Sequence, residues 1–360
     1  MADVPAPPFA AKRKTLRGHM AQQIDMFDRL ADPLLQVTRR KGRIKWANQA
    51  TAKLLGDKLI NHRLTEVFAS KDLKAALKQL RKGEISQRDL IVSAKNFPDR
   101  EFRARLVGLE RKTLYGARVL VSLTEITEVM RLQKQRADFV ANASHELKTP
   151  IAALSGFIET LEQDPKALEA FLPLMSTEAA RMRALIRDLL SLTRTEMEQS
   201  EPPTEAQSLQ PLLDQAVQSI QANLERRLQK LDRKALPEGA LVRADATALT
   251  TVFINLLQNA SKYAPEATTI EIEPEIEGGS LLIHFRNAGK GIEAKHIPRL
   301  TERFYRIEDS RTPKAGGTGL GLAIVKHVLI RHKGALKIAS KPDQGATFTV
   351  VLPLHQPRPA

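Results

Sequence analysis

The sequence contains no cysteine, few aromatic residues and no long apolar run, and each of these features excludes a class of protein. Without cysteine the chain cannot form disulfides, thiolate metal sites or a cysteine nucleophile. Aromatic residues are only 4% of the chain, which argues against a base-stacking platform for nucleic acid. No apolar run reaches the ~18–20 residues that span a bilayer, and the N-terminal segment lacks the apolar core of a signal peptide. We therefore expect a soluble, cytoplasmic protein, with the inner face of the membrane as the alternative location.

The positive charge of the chain is concentrated in its first third. The net charge is +15, and residues 23–127 hold 22 basic and 12 acidic side chains, whereas residues 128–360 hold 30 and 28. Such an excess of cations indicates either a solvated basic face or contact with an anionic membrane surface. A basic patch can also bind nucleic acid, but the scarcity of aromatic residues makes direct contact with nucleic acid the less favoured reading.

Composition and periodicity divide the 360 residues into segments of different character. Hydrophobic residues make up 42% of the chain, which favours folded domains over bulk disorder. The predicted segments are a disordered basic tail at 1–22, a small α+β domain at 23–127, a helical hairpin at 128–198, a polar linker at 199–208 and an α/β sandwich at 209–356. The expected fold class is therefore multidomain α+β.

The segment 23–127 combines short strands with helices. The runs LLQV and RIKWA predict two strands, Asn48 is a suitable N-cap for a helix that ends at Gly56, and KDLKAALKQLRKG is amphipathic. Three β-rich runs follow, and the last ends in TEIT. This order, with WANQATAKLLG after the second strand, resembles a PAS domain, in which Asp is usual at the position of Glu125.

Two long helical patterns follow. The first forms one apolar stripe from Val129 to Leu161, QDPKA interrupts it, and a second stripe runs from Phe171 to Leu192. Two such helices joined by a short turn form a hairpin that cannot enclose its own apolar stripe. Pairing of two hairpins into a four-helix bundle would bury both stripes, so we predict a homodimer.

A histidine with a neighbouring carboxylate lies in the first of these helices, in FVANASHELKTPIAAL. His145 precedes Leu147 of the apolar stripe by two residues, which is about 200° of helical rotation, so its imidazole is expected to face solvent. Glu146 could hold the proton of one ring nitrogen and leave the other nitrogen free to attack an electrophile. Lys148 and Thr149 lie one turn farther along. On these residues alone, an ordinary surface histidine is the favoured alternative.

Segments in the last third combine carboxamides, cations and glycine. NLLQNASKY places Asn255 and Asn259 on one helix face, where their oxygens could ligate Mg²⁺ that already carries phosphates. In the same run Lys262 could reach a phosphate and Tyr263 could stack on a base. Paired asparagines also occur as helix caps or solvated surface residues, and that alternative stays open.

Glycine-rich turns accompany this helix. GGTGLGLAIVK leaves backbone N–H groups free to approach phosphates immediately before a helix N-terminus. It lacks the ending of a Walker loop and the preceding strand of a dinucleotide-binding fingerprint. RNAGKGI, the basic and aromatic run RLTERFYRIEDSR, and QGATF are weaker signals of the same kind.

In this order, these segments resemble the N, first glycine, F and second glycine boxes of the Bergerat ATPase fold, and SHELKTPI resembles the phosphoacceptor motif of sensor histidine kinases. The resemblance spans about residues 25–356 and is strongest to phosphate-regulon sensor kinases. It implies that His145 accepts a phosphoryl group from ATP and that a response regulator receives it on aspartate. It also makes Glu146 the neighbouring base, and Glu146 with Thr149 a motif that supports phosphatase activity.

The resemblance also implies a Mg-ATP site, with the metal at Asn255 and Asn259. The residues that it assigns to nucleotide binding are Asn255, Asn259, Lys262, Tyr263, Asn287, Gly289, Gly291, Arg303, Phe304, Arg306, Gly317, Gly319 and Gly321.

The chain departs from the family pattern at three points. Asn287 stands where the family has an Asp that accepts the adenine amino proton, and a neutral acceptor is expected to weaken ATP binding by about 1 kcal/mol. Thr301 stands where many relatives have Phe. Phosphate-regulon sensors usually carry transmembrane helices before the PAS domain, whereas no apolar run of this sequence is long enough to be one. Two alternative functions follow: a catalytically weak or phosphatase-biased scaffold for the response regulator, and a lipid- or DNA-binding protein that uses the basic first third.

Overall fold

The protein is described by a computed structural model that covers residues 26–38, 40–56, 58–110, 119–197, 201–307 and 317–355. The predicted tail at 1–22 lies outside these ranges, as do Gly316 and part of the run RLTERFYRIEDSR. The chain folds as two compact units, Met1–Ala137 and Asp138–Ala360. Within the described ranges, no helix has both the length and the apolar character required to cross a bilayer.

An antiparallel sheet forms the centre of the first unit. Its strands are β1 Leu34–Val37, β2 Ile44–Ala47, β3 Phe68–Ala69, β4 Gln87–Ala94, β5 Phe97–Gly108 and β6 Val119–Glu125, in the spatial order β2–β1–β6–β5–β4–β3. Helices α1 Gln49–Leu55, α2 Leu64–Val67 and α3 Leu73–Lys82 fall between β2 and β4 in sequence. The five predicted strands are confirmed, whereas β3 was missed because two residues carry no periodic pattern. That this unit is a PAS domain stays a prediction.

The side chain of Asn48 is the polar centre of the first unit. It is fully buried, and its Oδ1 accepts the backbone N–H groups of Leu34 at 2.9 Å and Thr51 at 3.0 Å. Its Nδ2 donates to three backbone carbonyls, those of Phe27, Leu30 and Asp32. One amide thus joins β1, the start of α1 and the segment before β1. The predicted N-cap is confirmed.

Helices α4 Thr127–Gln163 and α5 Leu168–Met197 form the predicted hairpin, joined by a short 3-10 turn at Pro165–Ala167. Much of the predicted apolar stripe is not covered within one chain. Four of its side chains are between 49% and 56% exposed: Val129, Leu132, Ile151 and Ile158. On α5, by contrast, Leu185 and Leu192 are buried in the core of the second unit. The homodimer stays a prediction, and the exposed stripe is the surface that it would bury.

A five-stranded mixed sheet completes the second unit. Its strands are β8 Lys230–Arg233, β10 Thr269–Glu277, β11 Ser280–Asn287, β12 Ala335–Ser340 and β13 Ala346–Pro353, in the order β12–β13–β11–β10–β8. Helices α6 Gln210–Arg226, α7 Ala246–Tyr263 and α8 Gly321–Arg331 share one apolar core with it. A separate ribbon pairs β7 Ala206–Ser208 with β9 Leu241–Arg243. The predicted fold class, mixed α+β with a helical hairpin and an α/β domain, is confirmed. The edge strand β8 was missed because three of its four residues are charged.

His332 ties the end of α8 to the start of α7. Its Nε2 accepts the backbone N–H of Asp245, the N-cap of α7, at 3.0 Å, and its Nδ1 donates to the carbonyl oxygen of Val328 at 2.7 Å. These two roles require a neutral imidazole that carries its proton on Nδ1. Burial is the main cause that lowers the pKa of His332 below its ordinary value, and the charge of Arg331 adds to it.

We expect Asn48→Ala to destabilise the first unit by about 2–3 kcal/mol, because two buried backbone N–H groups and three partly buried carbonyls lose the side chain that they share. Trp46 is the only tryptophan of the chain and lies on β2, so its fluorescence during denaturant unfolding measures the effect. Asn96→Ala, at an exposed turn between β4 and β5, is the matched control and should change stability little. Equal stability of the two variants would contradict the role of Asn48.

We expect the stability of the second unit to fall as the pH drops below about 6.5. The pKa of His332 is lower in the folded than in the unfolded protein, so the unfolded state takes up the proton first. Its contribution to stability is therefore complete above the unfolded pKa and is lost as the pH falls through the folded pKa. Calorimetric unfolding of the whole chain across this window should show a smaller pH dependence for His332→Gln. His327, whose pKa burial lowers to about 4, should supply part of the remainder.

Candidate phosphoacceptor and nucleotide site

Helix α4 presents His145 on an exposed surface, whereas Leu147 is half-buried and packs on the core of the second unit. The orientation predicted from their spacing is therefore confirmed. Oε2 of Glu146 lies 3.5 Å from a guanidinium nitrogen of Arg181 on α5, so this carboxylate is paired with a cation across the hairpin. The hydroxyl of Thr149 donates to the carbonyl oxygen of His145 at 3.3 Å. An accessible imidazole with this neighbour can act as a nucleophile toward a substrate that approaches from solvent.

The second group of predicted residues lies where α7 approaches the segment that begins α8. Nδ2 of Asn255 donates to the carbonyl oxygen of Thr251 at 2.9 Å, and its Oδ1 faces Gly321, where an added Cβ would lie only 2.7 Å away. Nζ of Lys262 would lie 2.7 Å from a Cβ added to Gly317. Side chains larger than hydrogen at these two glycines would therefore fill the space in front of the Asn255 oxygen and the Lys262 ammonium group.

Three further predicted glycines each lie against neighbouring backbone. Gly319 has a φ of +69°, and an added Cβ would lie 2.8 Å from the backbone of Phe304, whose N–H donates to the Gly319 carbonyl at 3.0 Å. Gly289 and Gly291 also lie against neighbouring backbone, since an added Cβ would lie 2.8 Å from the Tyr263 carbonyl oxygen and 1.9 Å from the Lys341 carbonyl oxygen, respectively. The structure thus brings the glycine-rich turns together around α7.

The polar ends of α7 and β11 complete the group. Asn259 is half-buried, and Tyr263 is 60% exposed, with its ring centre 4.8 Å from the Lys262 ammonium group. Asn287 ends β11 and is nearly buried, and its Nδ2 donates to the carbonyl oxygen of Ala288 at 2.8 Å. Because this bond uses the amide nitrogen, the carboxamide oxygen is the atom of Asn287 suited to accept a ligand proton.

Arg303, which is also assigned to nucleotide binding, contacts the hairpin. Its guanidinium pairs with Glu196 of α5 at 2.5 Å, and its Cζ lies 5.2 Å from the ring centre of Phe139 on α4. Thr318, between two of the predicted glycines, donates its hydroxyl to Asp188 of α5 at 2.8 Å. Sequence reasoning missed Asp188 and Glu196, because a polar residue on an amphipathic helix is indistinguishable from a surface residue until its partner is known. It missed Thr318 because the glycines on either side of it carried the motif.

The chemistry of this group fits a magnesium-bound nucleotide triphosphate. Within the described ranges, no three His, Asp or Glu side chains are gathered as a metal site. A divalent ion here would therefore depend on neutral oxygens such as that of Asn255 together with ligand phosphates, which is how Mg²⁺ is usually bound with nucleotides. Lys262 and the N-terminus of α8 supply the positive potential that phosphates require.

Two family matches cover the second unit. Residues 135–198 match the His Kinase A (phospho-acceptor) domain, and residues 244–356 match the Histidine kinase-, DNA gyrase B-, and HSP90-like ATPase family. The chain therefore carries, in this order, a phosphoacceptor hairpin that contains His145 and an ATPase domain that contains Asn255 and Gly321.

Two curated relatives agree with these matches. The phosphate regulon sensor protein PhoR of Pseudomonas aeruginosa is 41% identical over 243 residues, which are 66% of this chain and 54% of that protein. The sensor-like histidine kinase SenX3 of Mycolicibacterium smegmatis is 35% identical over 237 residues, 65% of this chain and 62% of that protein. Among solved structures, the histidine kinase ThkA in complex with the response regulator protein TrrA aligns with 92% of this chain and 98% of that chain, at 19% identity and a TM-score of 0.48.

The chain matches only 54% to 62% of the length of these two curated relatives. Within that part it is similar to a phosphate regulon sensor, as SHELKTPI and the glycine boxes predict. Residues 135–356 thus carry, in order, the two domains that match the histidine kinase families, and over that part the chain is similar to sensor histidine kinases at 41% and 35% identity.

Proposed function

We propose that this chain is an ATP-dependent protein-histidine kinase of a two-component system, in which His145 takes the γ-phosphoryl group of ATP and passes it to an aspartate of a response regulator. One observation carries the proposal: an exposed imidazole on α4 occurs in the same unit as a glycine-lined space faced by Asn255 and Lys262. The first part supplies a nucleophile and the second supplies the groups that hold a triphosphate.

The chemistry is an in-line displacement at phosphorus. The unprotonated ring nitrogen of His145 attacks the γ-phosphorus, an N–P bond forms, and the bond from phosphorus to the β,γ-bridging oxygen breaks so that ADP leaves. Lys262 and the N–H groups at the start of α8 stabilise the negative charge on the phosphates. Asn255 and Asn259 would hold Mg²⁺, which supplies further charge neutralisation when bound. Glu146, fixed by Arg181, takes the proton of the other ring nitrogen.

The second half of the cycle takes place at the hairpin. A receiver domain docks beside His145, and its aspartate attacks the phosphohistidine, so that the N–P bond breaks and an acyl phosphate forms. Glu146 and Thr149 support phosphatase activity toward the response regulator, in which a positioned water hydrolyses the acyl phosphate. The exposed apolar stripe of α4 supports a homodimer, in which two hairpins form a four-helix bundle.

The first unit serves as a PAS-like sensor at 23–127, and phosphate starvation is the signal that the likeness to PhoR favours. Exposed cations on the polar face of α3 support a contact between this unit and an anionic membrane surface. Four of them follow one line along the helix and its N-terminal approach, Lys71, Lys74, Lys78 and Arg81.

We expect His145→Gln to abolish self-labelling of the full chain by γ-labelled ATP, because no other side chain would occupy the position of the nucleophile. The bound label in the unsubstituted chain should be labile to acid, as expected for a phosphoramidate. His62→Gln, at an exposed position in the first unit, is the control and should label normally. Label that persists in His145→Gln would overturn the assignment, and an unsubstituted chain that binds nucleotide without labelling would favour the scaffold alternative.

We expect Asn287→Ala to weaken ATP binding about fivefold, which corresponds to the ~1 kcal/mol of one neutral hydrogen bond. The loss should be smaller for a nucleotide whose base lacks the amino group, since that group is the proposed donor to Asn287. Titration calorimetry with a non-hydrolysable ATP analogue measures both affinities. Gln258→Ala, on an exposed position of the same α7, is the control. An equal loss for both bases would refute contact between Asn287 and the amino group.

A further inference from the structure

We propose that Glu196 of the hairpin is a positioning residue that holds Arg303 against α5 and so competes with nucleotide phosphate for the Arg303 guanidinium. The proposal rests on the proposed function, because it takes Arg303 as a residue that engages ATP. It adds a partner within the same chain whose charge opposes that engagement.

The contact between Glu196 and Arg303 is built into a packed interface. The two groups are 2.5 Å apart, and their side chains are 31% and 25% exposed, so most of the pair is shielded from solvent. The other side of Arg303 faces the ring of Phe139 on α4, with 5.2 Å from Cζ to the ring centre. The ring of Phe139 also lies 5.9 Å from that of Phe304. Arg303 thus contacts both helices of the hairpin, and Phe304 contacts α4.

A second contact joins α5 to the glycine-rich turn that precedes α8. Thr318 donates its hydroxyl at 2.8 Å to Asp188, which precedes Glu196 by about two helical turns on α5. Between the two carboxylates, Leu192 is fully buried in the core shared with α8. The backbone N–H of Phe304 donates to the Gly319 carbonyl, so the chain neighbours of Arg303 and Thr318 are hydrogen-bonded to each other. The hairpin therefore restrains the glycine-rich turn before α8 through two polar contacts, one on each side of the buried Leu192.

Arg303, and not the neighbouring His327, is the counter-ion of the Glu196 carboxylate. Burial raises the pKa of Glu196, and the charge of Arg303 acts against that rise. Nε2 of His327 lies 3.5 Å from the same carboxylate, but burial, aided by the charges of Arg303 and Lys326, lowers the pKa of His327 to about 4. His327 is therefore neutral near pH 7 and does not replace Arg303 as the counter-ion.

Competition follows from the shape and charge of the two anions. Carboxylate and phosphate oxygens offer a guanidinium the same charge-assisted hydrogen bonds. A phosphate can engage Arg303 only after this side chain gives up part of its pairing with Glu196. Phe139 precedes His145 by six residues, about 9 Å along α4, so the held Arg303 packs on the hairpin below the phosphoacceptor and not beside it.

The test is the variant Glu196→Gln in the full chain, which removes the charge and keeps the shape. We expect the Kd of a non-hydrolysable ATP analogue to fall about three- to tenfold. The rate of His145 labelling at low ATP should rise by the same factor, while the rate at saturating ATP changes less. Glu196→Asp retains the charge and should stay close to the unsubstituted chain. Glu169→Gln, an exposed glutamate at the start of α5, should change neither Kd nor rate.

A double-substitution cycle separates competition from a general structural effect. In an Arg303→Ala background, Glu196→Gln should no longer change the Kd, because the contested cation is gone. Unchanged or weaker nucleotide binding in Glu196→Gln, or the same gain with and without Arg303, would overturn the proposal. These outcomes differ from failure of the proposed function, in which the unsubstituted chain neither binds the analogue nor labels His145.

Discussion

The close approach of α7 to the glycine-rich start of α8 is the constraint on which the nucleotide region of the second unit depends. The Asn255 oxygen and the Lys262 ammonium group can face Gly321 and Gly317 only because neither glycine carries a side chain. The approach is fixed from behind by the common apolar core and by His332, which links the end of α8 to the N-cap of α7. The two glycines allow α7 and the start of α8 to approach each other, and the neutral, buried imidazole of His332 holds the two helices in that arrangement.

The hairpin has two apolar surfaces, of which one is buried within the chain and the other is the surface of the proposed homodimer. On α5, Leu185 and Leu192 are buried against the α/β domain. On α4, Ile151 and Ile158 remain about half exposed within one chain. One helical pair can thus join its own ATPase domain on one side and a second hairpin on the other, and His145 lies on the helix between these contacts. A change in packing on either side would reach the phosphoacceptor through a rigid element.

Charged groups at the contact between the hairpin and the ATPase domain make the strength of that contact sensitive to bound phosphate. A contact made only by leucine side chains would not compete with phosphate. Glu196 and Asp188, in contrast, bind Arg303 and Thr318, which belong to the proposed nucleotide region. The free energy that binds these turns to the hairpin is then coupled to the free energy that binds phosphate to them.

Much of this molecule was predictable from the sequence, because the relevant signals are local. Period and caps predicted β1, β2, α1 and the hairpin, and the two-residue offset between His145 and Leu147 predicted an exposed imidazole. Short or charged elements such as β3 and β8 were missed, since strand pairing rather than composition defines them.

The spacing of motifs along the chain predicted which residues belong to a phosphoacceptor and which to a nucleotide-binding region, and the two domains are matched in that order. Only the tertiary structure decided what those residues contact. Arg303 carries the same motif signal as its neighbours, yet it pairs with Glu196, more than a hundred positions earlier in the chain. The physical reason is that a charged side chain takes the nearest counter-ion in space, and the distance in space between two helices and a loop is set by how their apolar faces pack.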